Sequence, residues 1–155
     1  MTWQAVLPVA LPAGAVVRST AELRLEPEPR NVGVARRFVR EQVADLPDDT
    51  REALLLLTSE LVTNAVVHAR TQVEVAVAVT DEDVVVMVYD LDLGRREQRS
   101  YDRDGGRGLS IVRALAVETG LLPHREGGKT AWFRISLAAG GAGSPTGHSR
   151  YEEDA

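Results

Sequence analysis

The spacing of apolar residues along the first half of the chain predicts two helices and a hairpin. Helical spacing indicates one helix from Asn31 to about Ala44 and a second from about Thr50 to Ala69. A short strand, Ala21–Leu25, precedes them and stops at two prolines. Valine then alternates with smaller or polar residues, which predicts paired strands over Gln72–Thr80 and Val84–Tyr89.

The second half of the chain is less regular. Leu91 to Gly108 is charged, contains glycine and lacks apolar periodicity, which is typical of a functional or disordered loop. Helical spacing returns over Leu109 to Glu118, and Gly120 stands where it can cap that helix. Two last strands are predicted near Leu121–Arg125 and Thr130–Leu137.

The length and composition indicate one domain. A chain of 155 residues with 44% hydrophobic content can build one substantial core. We assign residues 1–20 to an N-terminal extension, 21–138 to the domain and 139–155 to a disordered tail that has nothing to bury. The extension is apolar but has no basic start and contains Pro8 and Pro12, so we interpret it as an extension rather than a signal peptide.

Charge and residue types exclude several classes of function. The formal net charge of -5 argues against nucleic acid as the main partner. The sequence contains no cysteine, which excludes disulfides, thiolate metal sites and cysteine nucleophiles and fits a cytoplasmic location. No apolar run approaches the length needed to span a bilayer, so we expect no membrane partner.

The second predicted helix carries a polar stripe. Glu60, Asn64 and His68 follow one another at intervals of four residues, so each is rotated by only about 40° from the last. The stripe either faces solvent or lines a pocket. In a pocket, the Asn64 carboxamide oxygen suits Mg²⁺ and Glu60 suits a general base, whereas a histidine at a helix end is more often a packing residue.

Two further features suggest a nucleotide. Asp90 ends the strongly β-branched strand, where it is either a turn residue or a buried acceptor for a ligand amino group such as that of adenine. Glycines 105, 106 and 108 stand directly before an apolar helix, where backbone N–H groups can approach phosphate, although such glycines also form plain turns. A Walker A loop is absent, because Gly128-Lys129-Thr130 precedes a strand rather than a helix.

In this order the parts resemble the GHKL superfamily of ATP-binding domains, and within it the stand-alone anti-sigma-factor serine/threonine kinases common in actinobacteria. The resemblance covers roughly Ala21 to Leu137. The segment from Glu60 through Asn64 to His68 resembles the family's N box, which implies Asn64 as the Mg²⁺ ligand and Glu60 as the catalytic base.

The other boxes of the family resemble later segments. Asp90 resembles the adenine-reading aspartate, but Asp90-Leu-Asp92 lacks the usual glycine two residues on, and Asp92-Leu-Gly94 restores it. We prefer Asp90, because it stands where the strand should end. The resemblance also implies that the following residues hold the nucleotide: Gly94, Gly106, Arg107, Gly108, Leu109 and, in the last box, Thr130.

The resemblance implies an α/β two-layer sandwich, with a mixed, mostly antiparallel sheet covered by helices on one face. It implies ATP and Mg²⁺ as cofactors, and phosphorylation of a STAS-type antagonist protein, sequestration of a sigma factor, or both. Homodimers are common in the family. The alternative is a catalytically weak ATP-binding module that switches partner affinity through its lid. A histidine-kinase catalytic domain is disfavoured, because the residues before Ala21 leave no room for its dimerisation helices.

Overall fold

A computed structural model describes residues 2–68, 71–91, 116 and 118–137. The strands are β1 (Val17–Leu25), β2 (Val73–Thr80), β3 (Asp83–Asp90), β4 (Glu118–Pro123) and β5 (Lys129–Ser136). The helices are a 3₁₀ turn (Thr2–Ala5), α1 (Leu7–Ala10), α2 (Asn31–Gln42) and α3 (Asp48–His68). The five strands form one sheet in the order β1-β2-β3-β5-β4, and each of these pairings is antiparallel.

One face of the sheet and helices α2 and α3 enclose the main core. Alternate residues of each central strand point to this face, as the pleat requires. The largest side chains that this core excludes fully from water are Leu54, Leu57 and Phe133. The arrangement confirms the predicted α/β sandwich, and among the described strands the sheet is wholly antiparallel rather than mixed.

Helix α3 is fixed at its start by charge and hydrogen bonding. Asp48 and Asp49 lie in its first turn, where negative charge is favourable next to the helix dipole. The Arg51 guanidinium donates to the backbone carbonyl of Leu46 at 2.9 Å, which ties α3 to the connection from α2. The helix therefore begins at a defined position. This start determines where the polar residues of α3 lie along the sheet.

The opposite face of the sheet is covered by the N-terminal segment. Trp3, Val6 and Ala10 are buried there against a second apolar cluster. The sheet residues of that cluster are Ala76, Ala78, Val85, Met87 and Trp132. The Trp3 indole N–H also donates to the carboxylate of Glu22 on β1. The segment that the sequence assigned to an extension thus packs against the sheet.

Several boundaries differ from the sequence prediction, most clearly at β1 and β4. Strand β1 begins at Val17 rather than Ala21, because Val17 already pairs with Thr80 of β2. The predicted helix Leu109–Glu118 lies mostly outside the described residues, but its end is wrong, since Glu118 begins β4. Gly120 is therefore a strand residue and not a helix cap. A Cβ atom at Gly120 would lie 2.6 Å from the Trp132 ring, so this glycine makes room for the indole.

No helix in the described part of the chain is both long and apolar enough to cross a membrane.

Candidate functional site

A small pocket lies between α3 and the ends of β3 and β5. Its walls combine apolar side chains with an amide, an imidazole and an ion pair. The residues that line it are Leu61, Asn64, Ala65, His68, Val88, Asp90, Lys129 and Ala131. Apolar walls with a few polar groups are typical of a site that binds a small molecule.

Helical and strand periodicity bring these residues together. On α3 the lining residues follow the three- and four-residue spacing that places side chains on one face. On the sheet, Asp90 pairs with Lys129 and Val88 pairs with Ala131 across β3 and β5. Because side chains alternate along each strand, both pairs point to the face that carries α3.

The predicted polar stripe of α3 does not form the solvent face of the helix. The exposed line runs through Leu56, Thr63 and Val67, whereas Asn64 and His68 are half-buried and line the pocket. Glu60 is also half-buried but is not one of the lining residues. The structure thus supports the pocket interpretation for Asn64 and places Glu60 one turn before it on the same helix.

Asp90 forms a buried ion pair with Lys129. The Lys129 Nζ atom lies 3.1 Å from Oδ1 and 3.3 Å from Oδ2 of Asp90. The side chains are only 5% exposed for Asp90 and 13% for Lys129, so each charge depends on partners that replace water. Asp90 ends β3 as predicted. Lys129 was missed, because a partner on a neighbouring strand is visible only once the strand register is known.

Gly128 allows the backbone of β5 to approach β3 closely. Its φ angle is +82°, in the region that side chains rarely adopt. An added Cβ would lie 2.5 Å from the backbone oxygen of Asp90 and 2.7 Å from the Tyr89 hydroxyl. The glycine in the sequence Gly128-Lys129 therefore helps to set the lysine beside the aspartate.

Thr130 is not one of the pocket residues. Its hydroxyl lies 2.7 Å from Nε2 of His124, and strand alternation puts it on the same face as Trp132, away from α3. The His124 ring also contacts Tyr89 edge-on, with centroids 5.5 Å apart. The role of Thr130 in nucleotide binding stays a prediction from the sequence.

Burial shifts the pKa values of both His124 and Tyr89, which lie on the face of the sheet opposite α3. It lowers the pKa of the His124 imidazole, and the nearby Glu126 charge opposes that effect. Burial also raises the pKa of the Tyr89 hydroxyl, and the charges of Glu74, Asp90 and Glu126 act in the same direction. Both rings therefore favour their neutral forms.

The remaining predicted site residues lie outside the described part of the chain. They are Asp92, Gly94, Gly106, Arg107, Gly108 and Leu109. Of the two candidate adenine partners, Asp90 lines the pocket and Asp92 lies outside the described residues.

An antiparallel sheet covered on one face by α2 and α3, with a small pocket between α3 and the sheet, is the architecture of an ATP-binding domain of the GHKL type. The family model described as histidine kinase-like ATPase domain matches residues 25–135, and the chain belongs to this family. The family supports ATP binding and ATP-dependent kinase or ATPase activity in general. A search of curated proteins finds no match to the chain.

The family implies ATP with Mg²⁺, and among the described residues Asn64 offers an oxygen atom suited to the metal. Residues 2–68, 71–91, 116 and 118–137 contain no group of three or more His, Asp or Glu side chains that could hold a metal by themselves. Mg²⁺ at nucleotide sites commonly takes few protein ligands and completes its shell with phosphate and water oxygens. The single carboxamide oxygen of Asn64 at the pocket is compatible with that mode of binding.

Proposed function

We propose that the protein is an ATP-binding regulatory serine/threonine kinase of the anti-sigma-factor type. It would transfer the γ-phosphoryl group to a hydroxyl of a STAS-type antagonist protein, sequester a sigma factor, or both. The observation that carries this proposal is the presence of Asn64 and Asp90 in one pocket, in a chain that belongs to the histidine kinase-like ATPase family.

Each residue has a distinct role in the proposed reaction. Asp90 accepts a hydrogen bond from the exocyclic amine of adenine, and Asn64 offers its carboxamide oxygen to the metal. Mg²⁺, when bound, neutralises phosphate charge. Glu60 accepts the proton of the attacking serine or threonine hydroxyl. The hydroxyl oxygen forms a bond to the γ-phosphorus, the bond to the β-phosphate oxygen breaks, and ADP leaves.

The second candidate is an ATP-binding module that transfers phosphate poorly. Two observations favour it: Glu60 is not among the residues that line the pocket, and the sequence after Asp90 lacks the usual glycine. In that case ATP would change the affinity for a protein partner without being consumed.

Phosphoryl transfer to a STAS-domain protein separates the two candidates. Wild-type protein, Mg²⁺-ATP and the STAS protein are incubated together, and mass spectrometry locates any new phosphoserine or phosphothreonine. The kinase proposal predicts transfer that Glu60→Gln abolishes without loss of ATP binding. Glu52→Gln, at an exposed position two turns earlier on α3, is the matched control and should retain transfer. ATP binding without any transfer would favour the module.

A further inference from the structure

We propose that Lys129 is a second base-reading residue, which donates a hydrogen bond to ring nitrogen N1 of adenine while Asp90 accepts one from the neighbouring amine. This assignment rests on the proposed nucleotide site and adds a specificity-determining residue to it.

The chemistry of the ion pair matches one edge of adenine. That edge presents a donor, the amine, next to an acceptor, the N1 lone pair. Asp90 offers only acceptor atoms, and the ammonium group of Lys129 offers only donors. Because Nζ lies 3.1 Å and 3.3 Å from the two carboxylate oxygens, acceptor and donor stand side by side. An ammonium has three N–H donors, so it can contact both the carboxylate and a base.

Apolar side chains flank this pair on the strands and on α3. Val88 and Ala131 stand beside Asp90 and Lys129 in the lining, and Leu61 and Ala65 face them from α3. Gly128 sets the backbone of Lys129 against that of Asp90 through its positive φ and close approach. The lysine therefore reaches the pocket from a fixed strand position.

Lys129 is the one lysine among the chain's 18 lysine and arginine residues. The others are all arginines. An arginine at position 129 would form a bidentate contact with the Asp90 carboxylate through its planar guanidinium. A compact ammonium leaves donors available for a ligand. Because the chain has one lysine, an amine-selective reagent can modify only this side chain and the N-terminal α-amine.

Adenine analogues test the contact without any change to the protein. Calorimetry measures binding of Mg²⁺-ATP, of 1-deaza-ATP, which replaces N1 by a C–H group, and of 7-deaza-ATP as the control. We expect 1-deaza-ATP to bind the wild type about ten- to a hundredfold more weakly than ATP, as for loss of a charge-assisted hydrogen bond. The 7-deaza analogue should bind like ATP.

The variant Lys129→Met completes the comparison. It should bind ATP more weakly than the wild type does, and it should bind ATP and 1-deaza-ATP with equal affinity. If the variant does not fold, the protection of Lys129 by ATP against acetylation in the wild-type protein serves as the second readout. Protection by ATP and not by 1-deaza-ATP, with each analogue at the same concentration, is the expected result.

The outcomes separate this inference from the proposed function. Tight ATP binding with equally tight 1-deaza-ATP binding would overturn the role of Lys129 and leave the nucleotide site intact. Failure of the wild type to bind any of the three nucleotides would overturn the proposed function, and the role of Lys129 with it.

Discussion

Thr130 and His124 form a hydrogen bond across the β4–β5 hairpin, with 2.7 Å between Oγ1 and Nε2. Thr130 is fully buried on the face of the sheet that lies away from α3. Its neighbour Lys129 lies on the other face and contacts Asp90. The side chains of Lys129 and Thr130 thus lie on opposite faces of the sheet, and of the two only Lys129 lines the pocket.

Replacing the buried hydroxyl tests what Thr130 does. Thr130→Val should lower the free energy of unfolding by about 1–3 kcal/mol, because His124 loses its partner inside the fold. Urea unfolding measures that loss, and calorimetry measures ATP affinity in the same samples. A large loss of ATP affinity with unchanged stability would favour the direct binding role that the sequence predicts.

The half-buried imidazole of His124 predicts a dependence of stability on pH. Its pKa is lowered by burial in the folded protein, so the unfolded chain takes up the proton first as pH falls. Stability from this group is therefore fully present above the unfolded pKa of about 6.5 and is lost as pH falls through the lower folded pKa. His124→Gln should lose less stability than the wild type when the pH is lowered from about 7 to about 5. Chemical denaturation measures both losses. Equal losses of unfolding free energy in the wild type and the variant would contradict a lowered pKa for His124.

Gly128 should be intolerant of any side chain. Gly128→Ala places a Cβ 2.5 Å from the Asp90 carbonyl at a positive φ, so we expect a loss of about 1–3 kcal/mol in unfolding free energy. Gly33→Ala is the control, since it lies within α2 with open space around it. That change should stabilise the protein by about 0.5–1 kcal/mol. Equal effects of the two substitutions in thermal or urea unfolding would refute the argument.

The N-terminal segment should contribute to stability through its apolar contacts. Trp3 is 7% exposed, so Trp3→Ala should cost about 3–5 kcal/mol through the cavity that it leaves against the sheet. Val9 lies on the same segment but is 54% exposed, and Val9→Ala should change stability by less than about 0.5 kcal/mol. A Trp3→Ala protein as stable as the wild type would show that the segment does not hold the sheet.

Local periodicity explains which elements the sequence predicts well. Helices α2 and α3 and strands β2 and β3 match the expected elements within a few residues, because their apolar spacing is a property of each segment alone. Asn64 and Asp90 could be selected as candidate residues for the same reason. Asn64 lies on a polar stripe of its helix, and Asp90 lies at the end of its strand. Both positions can be recognised from the local sequence.

Contacts between distant segments explain what the sequence could not predict. The ion pair of Asp90 and Lys129 follows from the β3–β5 register, which no local pattern specifies. The packing of Trp3 against the sheet depends on small residues at Ala76 and Ala78, which in sequence look like ordinary strand positions. Gly120 resembles a helix cap in sequence, but it is a strand residue beneath Trp132.

Calorimetric titration with Mg²⁺-ATP tests the central claim most directly. The wild type should bind, and Asn64→Ala and Asp90→Asn should each weaken binding by at least about tenfold, because each removes a polar contact to the ligand. Thr63→Ala, at the exposed position beside Asn64, should leave binding unchanged. Asp92→Asn shows whether the second aspartate reads adenine instead. Wild-type protein that binds no adenine nucleotide would contradict the account.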